Sequence, residues 1–142
     1  MHRGEIILID DSDVDLSFCL EALNDFSHHY HPVTFQDSDA ALEYIRENRT
    51  RIFVVVSDMN MPRMTGIELL SSINADHELK MHAIPFIFLS DSKNSAVIES
   101  AYAQAAQGYF VKPNKISEFT HIFKIIIEYW SSTKIPRDTV YA

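Results

Sequence analysis

Short apolar segments alternate with longer amphipathic segments along the whole chain, and few folds accommodate this order. The apolar segments have the length of strands, and the first, third and fourth are apolar nearly throughout, as in strands that are covered on both faces. Strict alternation of strands and helices predicts an α/β fold, in which a doubly wound, five-stranded parallel sheet carries helices on both faces. The predicted strands are Glu5–Ile9, Val33–Gln36, Ile52–Ser57, Ile84–Leu89 and Tyr109–Val111, and the predicted helices are Val14–Phe26, Asp39–Glu47, Gly66–Ala75, Ser95–Ala106 and Ile116–Trp130.

The length and composition are those of one globular domain. The chain has 142 residues, and its net charge of −8 argues against binding to nucleic acid or to an anionic membrane surface. The single cysteine, Cys19, excludes an internal disulfide framework. Because the sequence has no apolar stretch of about 20 residues and no signal-peptide pattern, we expect a cytoplasmic protein.

Polar side chains follow four of the five predicted strands, at the point where each strand ends. Asp10 and Asp11 follow the first strand, Asp58 the third, Ser90 the fourth and Lys112 the fifth. Because the carboxyl ends of parallel strands meet at one edge of the sheet, where ligands bind in such folds, we expect these side chains to converge.

The converging groups suit phosphoryl chemistry. Three carboxylates at one point repel each other and form a site for a divalent cation such as Mg²⁺, which prefers oxygen ligands and works beside phosphates. A lysine and a hydroxyl at the same edge suit the oxygens of a transferred phosphoryl group. The central position of Asp58 makes it the natural nucleophile, since carboxylates accept phosphoryl groups in aspartyl-phosphate enzymes.

Four motifs occur in order and at the spacing of one known family. They are ILIDDS, SDMNMPRMTG, FIFLSD and GYFVKP, and together they extend over almost the whole chain. The sequence resembles the receiver domain of two-component response regulators, in particular stand-alone, chemotaxis-regulator-like receivers. The resemblance implies a flavodoxin-like fold with the strand order 2-1-3-4-5, for which the chemotaxis receiver is a standard example.

The resemblance also implies a role for each residue of the acidic site. Asp58 corresponds to the phosphoacceptor, and Asp11 and Asp58 to direct ligands of Mg²⁺. Asn60 would add its backbone carbonyl, Asp10 would act through a metal-bound water, and Lys112 would hold the phosphoryl oxygens.

Three further positions match the switch region of the family. Ser90 corresponds to the hydroxyl that turns towards the phosphoryl group, and Tyr109 to the aromatic side chain that changes rotamer with it. The peptide bond before Pro113 is cis in the family, and a proline permits that isomer.

The implied function is that of a response regulator in a two-component or phosphorelay system. A sensor histidine kinase or histidine phosphotransfer protein would phosphorylate Asp58, and the chain would signal to a downstream protein by contact. It would catalyse only its own phosphorylation and dephosphorylation, so we do not expect an enzyme. We expect the receiver domain over residues 1–132 and a tail over 133–142, which is too short for an output domain.

Some residues depart from the family pattern or have another explanation. Asp91 follows the switch serine where a small residue is usual, and we hypothesise that it narrows access to the site. Ala105 stands where glycine is frequent, so we expect a different helix C-cap. Asp13 and Asp15 are interpreted as first-turn acids that complement a helix dipole and not as ligands.

The last predicted helix has an unusually wide apolar surface. Its core stripe contains Ile116, Phe119, Phe123, Ile126 and Trp130, whereas Ile122, Ile125 and Tyr129 lie on another side. We expect a partner to cover part of this surface, namely a second copy of the chain that binds through the face of the fourth helix, fifth strand and fifth helix. A tilted helix that buries more than usual is the alternative.

Two other functions fit parts of the sequence. A small Mg²⁺-dependent phosphatase would also use an aspartyl nucleophile, but such enzymes commonly carry a second acid two residues later, where this chain has Asn60. A docking domain without chemistry is the second alternative, although such a domain would be expected to have lost part of the polar set.

Overall fold

The computed structural model describes residues 3–136. Within this range five β-strands and six α-helices alternate, apart from two consecutive helices between the third and fourth strands. In chain order they are β1 (Gly4–Ile9), α1 (Asp13–Leu23), β2 (Tyr30–Phe35), α2 (Ser38–Asn48), β3 (Ile52–Ser57), α3 (Gly66–Ala75), α4 (His77–His82), β4 (Phe86–Ser90), α5 (Ser95–Ala103), β5 (Gly108–Val111) and α6 (Ile116–Ser132).

The strands form one parallel sheet in the order β2-β1-β3-β4-β5. Every residue of β3 and β4 is buried, whereas β2 and β5 contain partly exposed residues and form the two edges. The predicted α/β class and the strand order 2-1-3-4-5 are confirmed. Continuous apolar runs therefore mark central strands here, because both of their faces are covered.

Helices cover both faces of the sheet and create two apolar layers. One layer lies between the sheet and α1 with α6, and its fully buried members include Ile6 and Phe123. The other lies between the sheet and α2 to α5, and it contains Leu69 and Phe88. The helices cover the two faces of the sheet and not its carboxyl edge, so polar side chains at that edge can contact solvent and ligands.

The second strand begins three residues earlier than predicted. Tyr30 is buried, and its ring packs against that of Phe53 with 4.6 Å between centroids. The start of this strand was missed because Tyr30 is flanked by polar residues, and the apolar pattern indicates a strand only from Val33 onwards.

The short helix α4 is absent from the prediction. Asp76 caps it by accepting a hydrogen bond from the backbone N–H of Leu79, and Leu79 is buried. A helix of six residues offers too few turns for a recognisable apolar period. As a result, the fourth and fifth predicted helices are α5 and α6 of the structure.

Helix α5 ends at Ala103, three residues before the predicted end. Ala105 has the left-handed φ of 65°, its N–H donates to the Tyr102 carbonyl, and the N–H of Ala106 donates to the Ala101 carbonyl. These are the two bonds of a Schellman motif. The expectation of a different C-cap was wrong: the usual geometry forms with alanine at the position that favours glycine.

None of the helices between residues 3 and 136 has the length and apolar character needed to cross a membrane. The predicted tail lies partly outside the described residues. In the part that is described, Ile135 is buried, so the chain continues to pack after α6 ends.

Candidate functional site

Backbone hydrogen bonds between neighbouring strand ends bring the predicted polar residues to one edge of the sheet. The N–H of Asp58 donates to the Ile9 carbonyl at 2.8 Å, which places the ends of β3 and β1 side by side. The N–H of Lys112 donates to the Ser90 carbonyl, also at 2.8 Å, and joins the ends of β5 and β4.

Asp10, Asp11 and Asp58 form a compact acidic cluster. One carboxylate oxygen from each residue lies within 4.8 Å of the other two. Asp10 and Asp58 are buried, whereas Asp11 is exposed. Hard oxygen ligands at this spacing, open to solvent on one side, fit a divalent cation that retains water molecules, such as Mg²⁺.

Lys112 supplies the positive charge of the site. Its side chain is 5% exposed, and its Nζ lies 2.8 Å from Asp10 Oδ2 and 3.6 Å from Asp58 Oδ1. Burial lowers the pKa of Lys112, but its hydrogen bonds to Asp10 and Asp15 and the nearby negative charges outweigh burial, and the net shift is upward. The ammonium group therefore stays charged at neutral pH.

Burial raises the pKa of both inner carboxyl groups. The pKa of Asp58 rises to about 6, first because of burial and then because of the Asp10 charge, while Lys112 and the N–H of Met59 oppose the rise. The pKa of Asp10 is also raised by burial, despite its bond to Lys112. The positive charge of Lys112 alone thus does not fully offset the burial and mutual repulsion of the carboxylates. An additional cation would relieve the repulsion that remains between them.

The loop after β3 approaches the site closely because of Gly66. A Cβ atom at this position would lie 2.2 Å from the Asp58 carbonyl oxygen, so only glycine fits. The N–H of Gly66 donates to the Met59 carbonyl, and a capping box between Thr65 and Glu68 starts α3 directly afterwards. The loop therefore has a fixed path past Asp58.

The two predicted switch residues lie on β4 and β5. Ser90 is fully buried, and its Oγ accepts a hydrogen bond from the N–H of Ser92 at 3.3 Å. The hydroxyl of Tyr109 donates to the Ser92 carbonyl at 2.8 Å. Both side chains therefore form a hydrogen bond with the backbone of the same residue, Ser92, in the loop between β4 and α5.

The structure also describes three further residues singled out in the sequence, which are Asn60, Asp91 and Pro113. Asn60 is exposed and lies two residues after Asp58, in the loop, as the metal-ligand assignment requires. The Asp91 side chain is 85% exposed and points outward, with Oδ2 4.0 Å from Lys112 Nζ. The peptide bond before Pro113, for which the sequence permits either isomer, is trans in the structure.

Asp15 belongs to the site, although its position in the sequence indicates only a first-turn acid of α1. It does lie in that turn, where Ser12 is the N-cap, but its Oδ2 accepts a hydrogen bond from Lys112 Nζ at 2.9 Å. The sequence separation of 97 residues conceals this contact. The available signal was its place in the first turn of the helix that begins directly after Asp10 and Asp11, at the same edge of the sheet.

Comparison with known families matches residues 6–124 to the response regulator receiver domain. The chain belongs to this family. It is a receiver domain of two-component signalling and has a regulatory role, as the motifs predicted.

Among curated relatives, the receiver domain is 29% identical over 124 residues to the two-component response regulator ARR12 of Arabidopsis thaliana. The alignment covers 86% of this chain and 19% of ARR12, so the chain spans about a fifth of that protein's length. It is also 26% identical over 129 residues to the probable methanogenesis regulatory protein FilR2 of Methanothrix harundinacea, with 88% of this chain and 82% of FilR2 covered.

Among solved structures, the receiver domain resembles the phosphorylated cyanobacterial phytochrome response regulator RcpA. The TM-score is 0.83 at 31% identity, and the superposition covers 96% of this chain and 99% of RcpA. The flavodoxin-like fold inferred from the sequence is thereby confirmed.

Proposed function

We propose that Asp58 accepts a phosphoryl group from the phosphohistidine of a sensor histidine kinase or a histidine phosphotransfer protein. The observation that carries the proposal is the placement of Asp58 between two further carboxylates and Lys112, whose Nζ lies 3.6 Å from Asp58 Oδ1. Phosphorylation of the similar protein RcpA supports the same chemistry here.

In the proposed step a carboxylate oxygen of Asp58 attacks the phosphorus of the phosphohistidine. A P–O bond forms, the P–N bond breaks, and the imidazole leaves with the electron pair and takes a proton. Because this transfer needs little covalent help from the protein, the site acts mainly through position and charge. Lys112 lies where it would contact the oxygens of the transferred group.

Mg²⁺ is the proposed cofactor. Asp11 and Asp58 would bind it directly, the backbone carbonyl of Asn60 would complete the protein ligands, and Asp10 would contact it through a water molecule. When bound, the ion neutralises charge on the phosphoryl oxygens. The three carboxylate oxygens within 4.8 Å of one another fit this assignment.

Ser90 and Tyr109 are the proposed switch. A phosphoryl group on Asp58 would attract the Ser90 hydroxyl, which in this structure accepts a bond from Ser92. Since Tyr109 is bonded to the Ser92 carbonyl, movement of this loop would change the environment of the Tyr109 ring. Phosphorylation would thus shift an existing equilibrium between two surfaces.

The proposed output is protein contact, and a second copy of the chain is one proposed partner. The face of α5, β5 and α6 contains an apolar groove, at whose rim Tyr102, Ile125 and Tyr129 are exposed. Within residues 3–136 these are three of the few large hydrophobic side chains that remain exposed, and two of them belong to α6. Burial of this groove against its symmetry mate would remove that apolar surface from water.

Intact mass spectrometry tests the proposed chemistry. The protein is incubated with Mg²⁺ and acetyl phosphate, in parallel with its Asp58→Asn variant. We expect a gain of one phosphoryl unit in the wild type and none in the variant, and no gain in the wild type when EDTA removes the metal. Equal phosphorylation of the wild type and Asp58→Asn would contradict the assignment of Asp58.

A further inference from the structure

Lys112 is held by more acids than the phosphoryl chemistry accounts for. Its Nζ lies 2.8 Å from Asp10 and 2.9 Å from Asp15, both within hydrogen-bond distance, but 3.6 Å from Asp58 and 4.0 Å from Asp91. Asp15 is not one of the three carboxylates that converge on the candidate cation site. Its contact with Lys112 therefore has no part in the function described so far.

The position of Asp15 is fixed by the start of α1. Its backbone N–H donates to the side chain of Ser12, the N-cap of that helix, at 3.2 Å. Helix α1 in turn packs against α6, which begins shortly after Lys112. The contact between Asp15 and Lys112 thus joins the first turn of α1 to the loop after β5, beside the acidic cluster.

We propose that Asp15 is a positioning residue, which holds the Lys112 ammonium group in place for the phosphoryl oxygens on Asp58. This inference rests on the proposed function. A lysine ammonium group has three N–H donors, and Asp10 and Asp15 each accept from one, which leaves the third for the side on which Asp58 lies. Asp10 is one of the carboxylates that would hold the cation, whereas Asp15 lies outside the acidic cluster and would keep its bond to Lys112 when the cation is bound.

The chain contains a matched control for this role. Asp13 lies in the same first turn of α1 and contributes the same charge to the helix N-terminus. It is exposed, and its side chain forms no ion pair with any other residue of the described range 3–136. Asp13→Ala therefore removes the charge and its effect on the helix dipole without disturbing Lys112.

The test compares phosphorylation rates with acetyl phosphate at saturating Mg²⁺. We expect Asp15→Ala to be phosphorylated about tenfold more slowly than the wild type, and Asp13→Ala to stay within about twofold of it. Asp15→Asn, whose amide oxygen still accepts a hydrogen bond, should recover most of the rate. In a Lys112→Met background Asp15→Ala should cause no further loss, because two residues that act through one contact are not additive.

A second measurement needs neither metal nor phosphodonor. In the ¹H–¹⁵N spectrum of the metal-free protein, the Lys112 ammonium signal is identified by its absence from Lys112→Met. Slow exchange of this buried, bonded group should make the signal visible in the wild type and in Asp13→Ala, and its loss is expected in Asp15→Ala. Circular dichroism verifies that each variant is folded.

The outcomes separate this inference from the function on which it rests. A wild type that gains no phosphoryl group overturns both. A phosphorylated wild type, together with an Asp15→Ala variant that reacts as fast or faster, overturns the positioning role alone. Equal losses from Asp15→Ala with and without Lys112 would also overturn it, because they would show an effect that does not pass through the lysine.

Discussion

Asp58 directly follows a strand whose residues are all buried, and it is itself only 8% exposed. At neutral pH its carboxylate shares this confined space with Asp10, and a single buried lysine lies between them and Asp15. A neutral side chain of the same shape would relieve the repulsion and the burial of charge. The identity of residue 58 therefore reflects chemistry more than stability.

The burial of the Asp58 carboxylate and its repulsion by Asp10 predict that Asp58→Asn stabilises the metal-free protein. A pKa of about 6 in the folded state lies above the usual value, so the folded state binds the proton more tightly than the unfolded state does. The contribution of the Asp58 carboxyl to the free energy of unfolding consequently falls as pH rises from about 4 to about 6, and it stays low at higher pH. At pH 7 we expect the variant to be more stable by roughly 2 to 3 kcal/mol, measured by urea unfolding in EDTA.

The pH dependence of the difference gives the internal control. The advantage of Asp58→Asn should shrink as pH is lowered from about 6 to about 4 and vanish below about pH 3, where the wild-type carboxyl is protonated in both the folded and the unfolded state. Asp13→Asn, which neutralises an exposed acid, should show no gain of this size. A variant less stable than the wild type at pH 7 would show that the acidic site is not under electrostatic strain.

Sequence reasoning located most of the site residues because they follow recognisable strands. Asp10, Asp58 and Lys112 each end an apolar run, and the parallel arrangement dictates that such ends meet. Asp15 had no such marker, since a first-turn acid has an adequate local explanation in the helix dipole. Only the fold shows that its carboxylate contacts a lysine at the far end of the chain.

At the scale of elements, the short helix α4 and the end of α5 were harder to predict than the buried central strands. The apolar runs of β3 and β4 are unambiguous because both sheet faces are covered. The six residues of α4 are too few to show a period, and the end of α5 depends on one backbone conformation at Ala105. Backbone geometry that depends on so few residues cannot be predicted from the pattern of apolar residues.

A glycine at position 105 should increase the stability of the protein. An alanine in the left-handed conformation is strained by its Cβ, whereas glycine adopts this conformation without strain. We expect Ala105→Gly to raise the free energy of unfolding by about 1 kcal/mol, measured by urea unfolding at fixed pH.

Ala103→Gly is the matched control for this substitution, because Ala103 lies within the same helix. Glycine at a helical position should lower the free energy of unfolding by about 1 kcal/mol. Loss of stability in both variants would mean that the C-cap of α5 is not left-handed in solution.

At the scale of the whole molecule, the exposed groove on α5, β5 and α6 predicts self-association. The Tyr129 side chain is 59% exposed and packs edge-on against Trp130 at 4.9 Å between ring centroids. Sedimentation velocity of the phosphorylated protein should show a concentration-dependent dimer, and Tyr129→Glu should weaken it at least tenfold by placing a charge in the groove.

Met81→Glu provides the comparison for Tyr129→Glu. Met81 is about as exposed as Tyr129, but it belongs to α4 and does not line the groove. Its substitution should leave the dimer unchanged. A monomeric mass for the wild type, both with and without phosphorylation, would remove the homodimer proposal and leave another protein as the partner of this face.

The most direct test of the central claim is to locate the phosphoryl group on the chain. Borohydride reduces an aspartyl phosphate to homoserine, and peptide mass spectrometry then identifies the residue that carried it. After reaction with a phosphodonor and Mg²⁺, we predict homoserine at position 58 and nowhere else. Conversion at Asp10 or Asp11 instead, or phosphorylation that leaves residue 58 unconverted, would contradict the account.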